Sequence, residues 1–74
     1  MTQDSKIILS KNIEKLRTSQ KLTREALSLI FGFENSYISK VEKQRINITI
    51  ERLDKIASFF GIKTYQLLKP LSKK

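Results

Sequence analysis

Gly32, Gly61 and Pro70 are the only two glycines and the only proline in the chain, so most of it runs without a strong helix breaker. With ten isoleucines and nine leucines leading the apolar set, such a sequence favours a folded helical domain over a disordered segment. Its 74 residues leave room for one compact domain, spanning 1–74, and no second core. A domain this small buries only roughly 60% of the surface its unfolded chain exposes. It also lacks cysteine and histidine, so neither a disulfide nor a typical zinc site can add stability, and dimerisation is a natural way to add core.

The apolar residues recur at helical spacing. Leu9, Ile13 and Leu16 stand at i, i+4 and i+7 with Lys6, Lys11, Glu14 and Lys15 on other faces, which predicts an amphipathic helix from about Ser5 to Thr18. Thr23 offers an N-cap oxygen and Glu25 suits the first turn of a second helix, roughly Thr23 to Phe31, carrying Ala26, Leu27, Ile30 and Phe31. Gly32 follows where a positive φ would end that helix cheaply. Glu34 or Asn35 is expected to cap a short third helix with Ile38 and Val41 buried and Asn35, Ser36, Tyr37, Ser39, Lys40 and Lys43 outward. After a loop over Gln44 to Ile48, Thr49 caps a fourth helix whose stripe is Ile50, Leu53, Ile56, Ala57 and Phe60, closed by Gly61. A fifth short helix, about Thr64 to Leu68, stops before Pro70. The expected fold is all-α, five helices in one bundle.

Fifteen Lys and Arg against seven Asp and Glu give a net charge of +8, which attracts polyanions and puts nucleic acid first among partners. A membrane-surface helix would need one broad apolar face, and the stripes here are narrow and interrupted. Runs such as Ile7 to Leu9 are too short for a span or a signal h-region, so a soluble, cytoplasmic protein is expected. Catalysis is not expected, because there is no histidine or thiol, no Gly-rich phosphate loop and no recognisable catalytic pair among the seven carboxylates. No cofactor and no metal are expected either.

The segment from about 23 to 43 has the spacing of a helix-turn-helix: small Ser28, Gly32 four later, Ile38 six beyond and Val41 three after that. Ser28 would face the crossing helix at close approach, Gly32 would make the turn, and Leu27, Ile38 and Val41 would fill the wedge between the helices. An ordinary helical hairpin satisfies the same apolar spacing, and the basic charge favours the DNA-binding reading.

From Leu9 to Leu68 the chain resembles the phage repressor and Cro family, the lambda-repressor-like helix-turn-helix proteins. Ile13-Glu14-Lys15-Leu16-Arg17 looks like that family's first helix, Leu22-Thr23-Arg24-Glu25-Ala26-Leu27 its second and Tyr37-Ile38-Ser39-Lys40-Val41-Glu42 its third. Within the family, Asn35 to Glu42 followed by Asn47-Ile48-Thr49 and Leu53-Asp54-Lys55-Ile56-Ala57 is most similar to controller proteins of restriction-modification systems. Those controllers usually carry Arg-Thr before the tyrosine and Arg before the asparagine, where this chain has Asn35, Ser36 and Ile46.

The resemblance implies a homodimeric, sequence-specific regulator that sets the first turn of its third helix into successive major grooves of a near-palindromic operator at its own promoter, with RNA polymerase as a further contact. Asn35, Ser36, Tyr37 and Lys40 are then the expected base contacts; Tyr37 lies about 100° round the helix from Ile38. Arg24, Lys43, Arg45, Asn47, Thr49 and Arg52 are the expected phosphate contacts, Asn47 and Thr49 sharing that role with capping the fourth helix. The resemblance also brings Arg17 and Glu42 together as a partly buried ion pair. Phe60, Ile62, Tyr65, Leu68 and Leu71, in a region of about 58–71, exceed what one small core can cover and are expected to form the dimer interface. A phage or mobile-element repressor, or an antitoxin that binds a toxin as well as its operator, are the competing readings.

Overall fold

A computed structural model describes residues 2–70. It contains four α-helices, α1 (Thr2–Ser19), α2 (Arg24–Phe31), α3 (Tyr37–Glu42) and α4 (Ile50–Phe59), followed by a 3-10 helix at Thr64–Leu68. The fold is all-α as expected, with two adjustments: α1 begins earlier than the apolar stripe alone predicts, and the fifth helix is a single tight 3-10 segment. No helix among the described residues is long and apolar enough to cross a membrane.

One core joins every element. Leu9 and Ile13 from α1 meet Leu27 from α2, Tyr37, Ile38 and Val41 from α3, Leu53, Ile56 and Ala57 from α4, and Leu67 from the 3-10 helix. Ile13, Leu27, Ile38, Ile56 and Leu67 are completely buried, and each such side chain contributes roughly 1.5–3 kcal/mol through removal of apolar surface from water. Two of the apolar residues assigned to the buried stripes, Ile30 and Ile50, are instead exposed. Each sits at the edge of its helix's stripe, where this small bundle has no further layer to cover it.

Polar side chains also enter this core with partners. Asn12 of α1 donates through Nδ2 to the carbonyls of Leu67 and Lys69, both at 2.8 Å, and so binds the end of the 3-10 helix to the first helix. Ser10 is buried as well and accepts from Gln44 Nε2 at 3.2 Å. Neither link has a local sequence signature.

All four α-helices end in the same way. Beyond each last turn a residue with positive φ, Lys21 (59°), Gly32 (73°), Gln44 (61°) or Gly61 (72°), reverses the backbone. In each case its N–H and the next residue's N–H donate back to two carbonyls of the last turn, the Schellman arrangement, as with Phe33 N–H to Ser28 O at 2.9 Å and Arg45 N–H to Lys40 O at 2.9 Å. The two glycines are legible as stops. Lys21 and Gln44 are not, because L residues are seldom left-handed and nothing local marks them out.

At the N-termini, Thr23 accepts from Ala26 N–H and Thr49 from Arg52 N–H, the two caps expected from sequence. The third helix differs: Ser36 occupies the cap position without a side-chain cap bond, and the Glu34 carbonyl accepts from Tyr37 N–H at 2.9 Å. Neither the Glu34 nor the Asn35 side chain caps it, because they stand two residues and one residue before the cap position.

Candidate nucleic-acid interface

The motif is assembled from α2, its glycine turn and α3. Ser28 is fully buried where the two helices cross, and its Oγ accepts from Ile38 N–H at 3.2 Å. The small side chain therefore permits close approach and also satisfies an N–H in the first turn of α3 that has no partner within that helix. Gly32 turns the chain at φ 73° and ψ 25°, and Leu27, Ile38 and Val41 fill the wedge beneath.

Behind the motif lies a buried carboxylate shared by two guanidinium groups. Arg17 donates from Nε to Glu42 Oε2 at 2.7 Å and from Nη2 to Oε1 at 3.2 Å, while its Nη1 donates to the Leu22 carbonyl at 2.8 Å. The Glu42 side chain is only 3% exposed. Arg24, at the first position of α2, donates from Nε to Glu42 Oε1 at 2.8 Å and keeps 42% of its side chain exposed. The hydrogen bond that Arg24 donates to Glu42, together with the charge of that carboxylate, holds Arg24 more firmly in the cationic form. One carboxylate is thus shared by two guanidiniums, and Arg24 keeps donors free at the start of α2, where the helix dipole favours an anion.

The outward face of α3 is polar and basic. Asn35, Ser36, Lys40 and Lys43 are exposed, and Ser36, Lys40 and Lys43 share one face at helical spacing, opposite Ile38 and Val41. Arg45, Asn47 and Thr49 follow in the exposed loop to α4, where the cap oxygen is that of Thr49.

Tyr37 corrects the sequence reading. It is not an outward base contact but a core residue, 8% exposed, with its ring edge-on to Phe33 at 4.9 Å. A core-facing helix presents a stripe about 100° or more wide, so a residue one step from Ile38 still falls within it. Arg52 of α4 covers the outer side of this pair, its guanidinium carbon 4.4 Å from the Phe33 ring centre and 4.5 Å from that of Tyr37, and Nη1 donates to Glu34 Oε1 at 3.3 Å. That long-range packing, spanning 18 residues from Glu34 to Arg52, has no local signal.

The expected dimer set divides. Phe60 and Ile62 are packed against the core, whereas Tyr65 and Leu68 are exposed and Leu71 lies outside the described residues. Phe59, absent from the expected set, is exposed, with its ring 5.4 Å from that of Phe31. The one-residue shift from Phe60 to Phe59 follows from α4 directing Ile56, Ala57 and Phe60 inward.

The Helix-turn-helix family matches residues 13–67, a stretch that holds both helices of the motif and the Arg17, Arg24 and Glu42 cluster behind it. The chain belongs to that family of DNA-binding transcriptional regulators.

Among its helix-turn-helix relatives is a Neisseria hypothetical transcription factor of Neisseria meningitidis serogroup B, 34% identical over 68 residues. The alignment covers 92% of this chain and 64% of that protein, so the chain spans less than two thirds of that relative's length. The control protein C.SmaI of Serratia marcescens is 32% identical over 65 residues, covering 88% of this chain and 77% of that one. Among solved structures, the hypothetical transcription factor NHTF from Neisseria superposes with a TM-score of 0.86 at 32% identity over 96% of this chain and 82% of that one. The restriction-modification controller protein C.AhdI of Aeromonas hydrophila superposes with a TM-score of 0.75 at 26% identity over 84% of this chain and 94% of that one.

Proposed function

We propose that this helix-turn-helix protein is the controller of a restriction-modification system, a cytoplasmic homodimer that binds a near-palindromic operator at its own promoter and regulates by occupancy, with RNA polymerase as its contact when it activates. The observation that carries DNA reading is the exposed polar entry to α3, with Asn35 and Ser36 in the turn before the helix and Lys40 on its outer face, locked to α2 through Ser28 and Gly32. The controller reading draws its support from relatives that bear that name.

Asn35 suits bidentate pairing with adenine, Lys40 suits guanine, and Ser36 pairs with several bases. Arg24, Lys43, Arg45, Asn47, Thr49 and Arg52 supply phosphate contacts that fix the position of the protein on the duplex, Arg52 through the donors that Glu34 leaves open. Exposed Tyr65 and Leu68, with exposed Phe59 in place of Phe60 and Ile62, form the dimer contact. Recognition helices on such a dimer need a separation of about 34 Å, one DNA turn. Each lies then about 17 Å from the two-fold axis, a distance that fits a body measuring 29 × 23 × 19 Å.

Selection of bound fragments from random duplex DNA tests the reading. The expected product is a near-palindrome with half-sites one turn apart, present upstream of the protein's own gene beside restriction and modification genes. No enriched motif, or a motif absent from that promoter, overturns the controller assignment.

A further inference from the structure

Glu34 is an anomaly in a chain of net charge +8. Its carboxylate lies in the turn immediately before α3, next to Asn35 and Ser36, and the side chain is 70% exposed. A loose carboxylate there would repel DNA phosphates and weaken binding to every sequence alike. This one is held. Arg52 grips Oε1 through Nη1 at 3.3 Å, and the guanidinium rests on the Phe33 and Tyr37 rings, which pack on each other. The backbone is fixed too, because the Glu34 carbonyl accepts from Tyr37 N–H. Exposed ion pairs are usually weak because two long side chains must be ordered, and stacking on two rings removes much of the arginine's freedom beforehand.

An ionised carboxylate is an acceptor only, and it has lone pairs to spare beyond the Arg52 bond. The major groove offers it two exocyclic amines. Adenine N6 lies beside the acceptor N7, which repels a second carboxylate oxygen, whereas cytosine N4 is the base edge that Glu matches. Guanine and thymine present acceptors there, so the same charge penalises them.

We propose that Glu34 is a specificity-determining residue that accepts from a cytosine N4 amine in each half-site, with Arg52 on its aromatic platform as the positioning residue. The inference rests on the reading that the first turn of α3 enters the major groove. It assigns the glutamate a role in discrimination by repulsion as well as by attraction.

Selections from random duplex DNA with the full chain, E34A, R52A and N35A test it. The wild type prefers cytosine at one position per half-site by roughly 5- to 150-fold, the range of one good base contact. E34A abolishes that preference and binds unrelated duplex DNA more tightly than the wild type. R52A loses the same preference at the same position, which a phosphate contact alone would leave untouched. N35A loses a different, neighbouring base pair. If E34A keeps the wild-type preference at every position while N35A changes its own, the Glu34 assignment is wrong and the reading of α3 stands. If neither variant changes any position, both are wrong.

Discussion

The Asn12 amide on the first helix donates to the Leu67 carbonyl at 2.8 Å, across 55 residues of chain. With its second bond to the Lys69 carbonyl, it closes the bundle by satisfying the end of the 3-10 helix. Asn12→Ala removes both bonds from a buried site and is expected to cost about 1–3 kcal/mol, read as a lower urea midpoint at constant slope. An unchanged midpoint would mean that water replaces the amide without loss.

Glu42 carries more. Glu42→Ala leaves the buried Arg17 without its counter-charge and is expected to destabilise the domain by about 3–5 kcal/mol. Arg24→Ala breaks a half-exposed contact to the same carboxylate and should cost much less, so the ordering of the two denaturation midpoints is the check.

Lys21 is an exposed L residue at φ 59° in the turn after α1. Lys21→Gly is expected to stabilise the protein by about 0.5–1 kcal/mol, relief of left-handed strain exceeding the added unfolded-state entropy. At Gly32 the reverse holds: a Cβ would meet nothing within 4 Å, so Gly32→Ala is penalised through φ alone, by about 1–2 kcal/mol. Thermal unfolding of the two variants should show shifts of opposite sign.

DNA affinity should fall steeply with salt. If three or four of Arg24, Lys40, Lys43, Arg45 and Arg52 engage phosphates in each protomer, a dimer neutralises about six to eight and the log-log slope is near −5 to −7. Lys43→Ala and Arg45→Ala should each make the slope shallower without altering sequence preference. A slope shallower than about −2 would place these cations in solvent.

Its own backbone N–H and then Arg52 hold the Glu34 carboxyl below its ordinary value of 4.5. A lowered folded-state value means that the Glu34 contribution to stability is complete above that ordinary value and disappears as acid takes the pH down through the folded one. Carbon-detected NMR titration should find the Glu34 midpoint below 4.5, moving upward in Arg52→Ala.

Much of this architecture was legible because short-range rules govern it. Thr23, Gly32, Thr49 and Gly61 mark caps through local hydrogen bonds or permitted φ, and Ser28 with Ile38 and Val41 marks the crossing of α2 and α3 through residue size and helical spacing. The rest depends on partners distant in sequence. The outward placement of Tyr37 failed because Phe33 and Arg52, from a turn and a later helix, close over it. The Asn12 and Gln44 links depend on partners far away in the chain in the same way, and Lys21 and Gln44 adopt a left-handed conformation that their residue types do not signal.

The Arg17–Glu42–Arg24 cluster anchors α3 from the side turned away from Asn35 and Ser36. The anchor thus holds the helix through atoms other than Asn35 and Ser36, which lie in the turn that precedes it. Asn35 and Ser36 make no side-chain contact with that anchor, so exchanging either of them is expected to leave the seat of the helix, and the fold that depends on it, undisturbed.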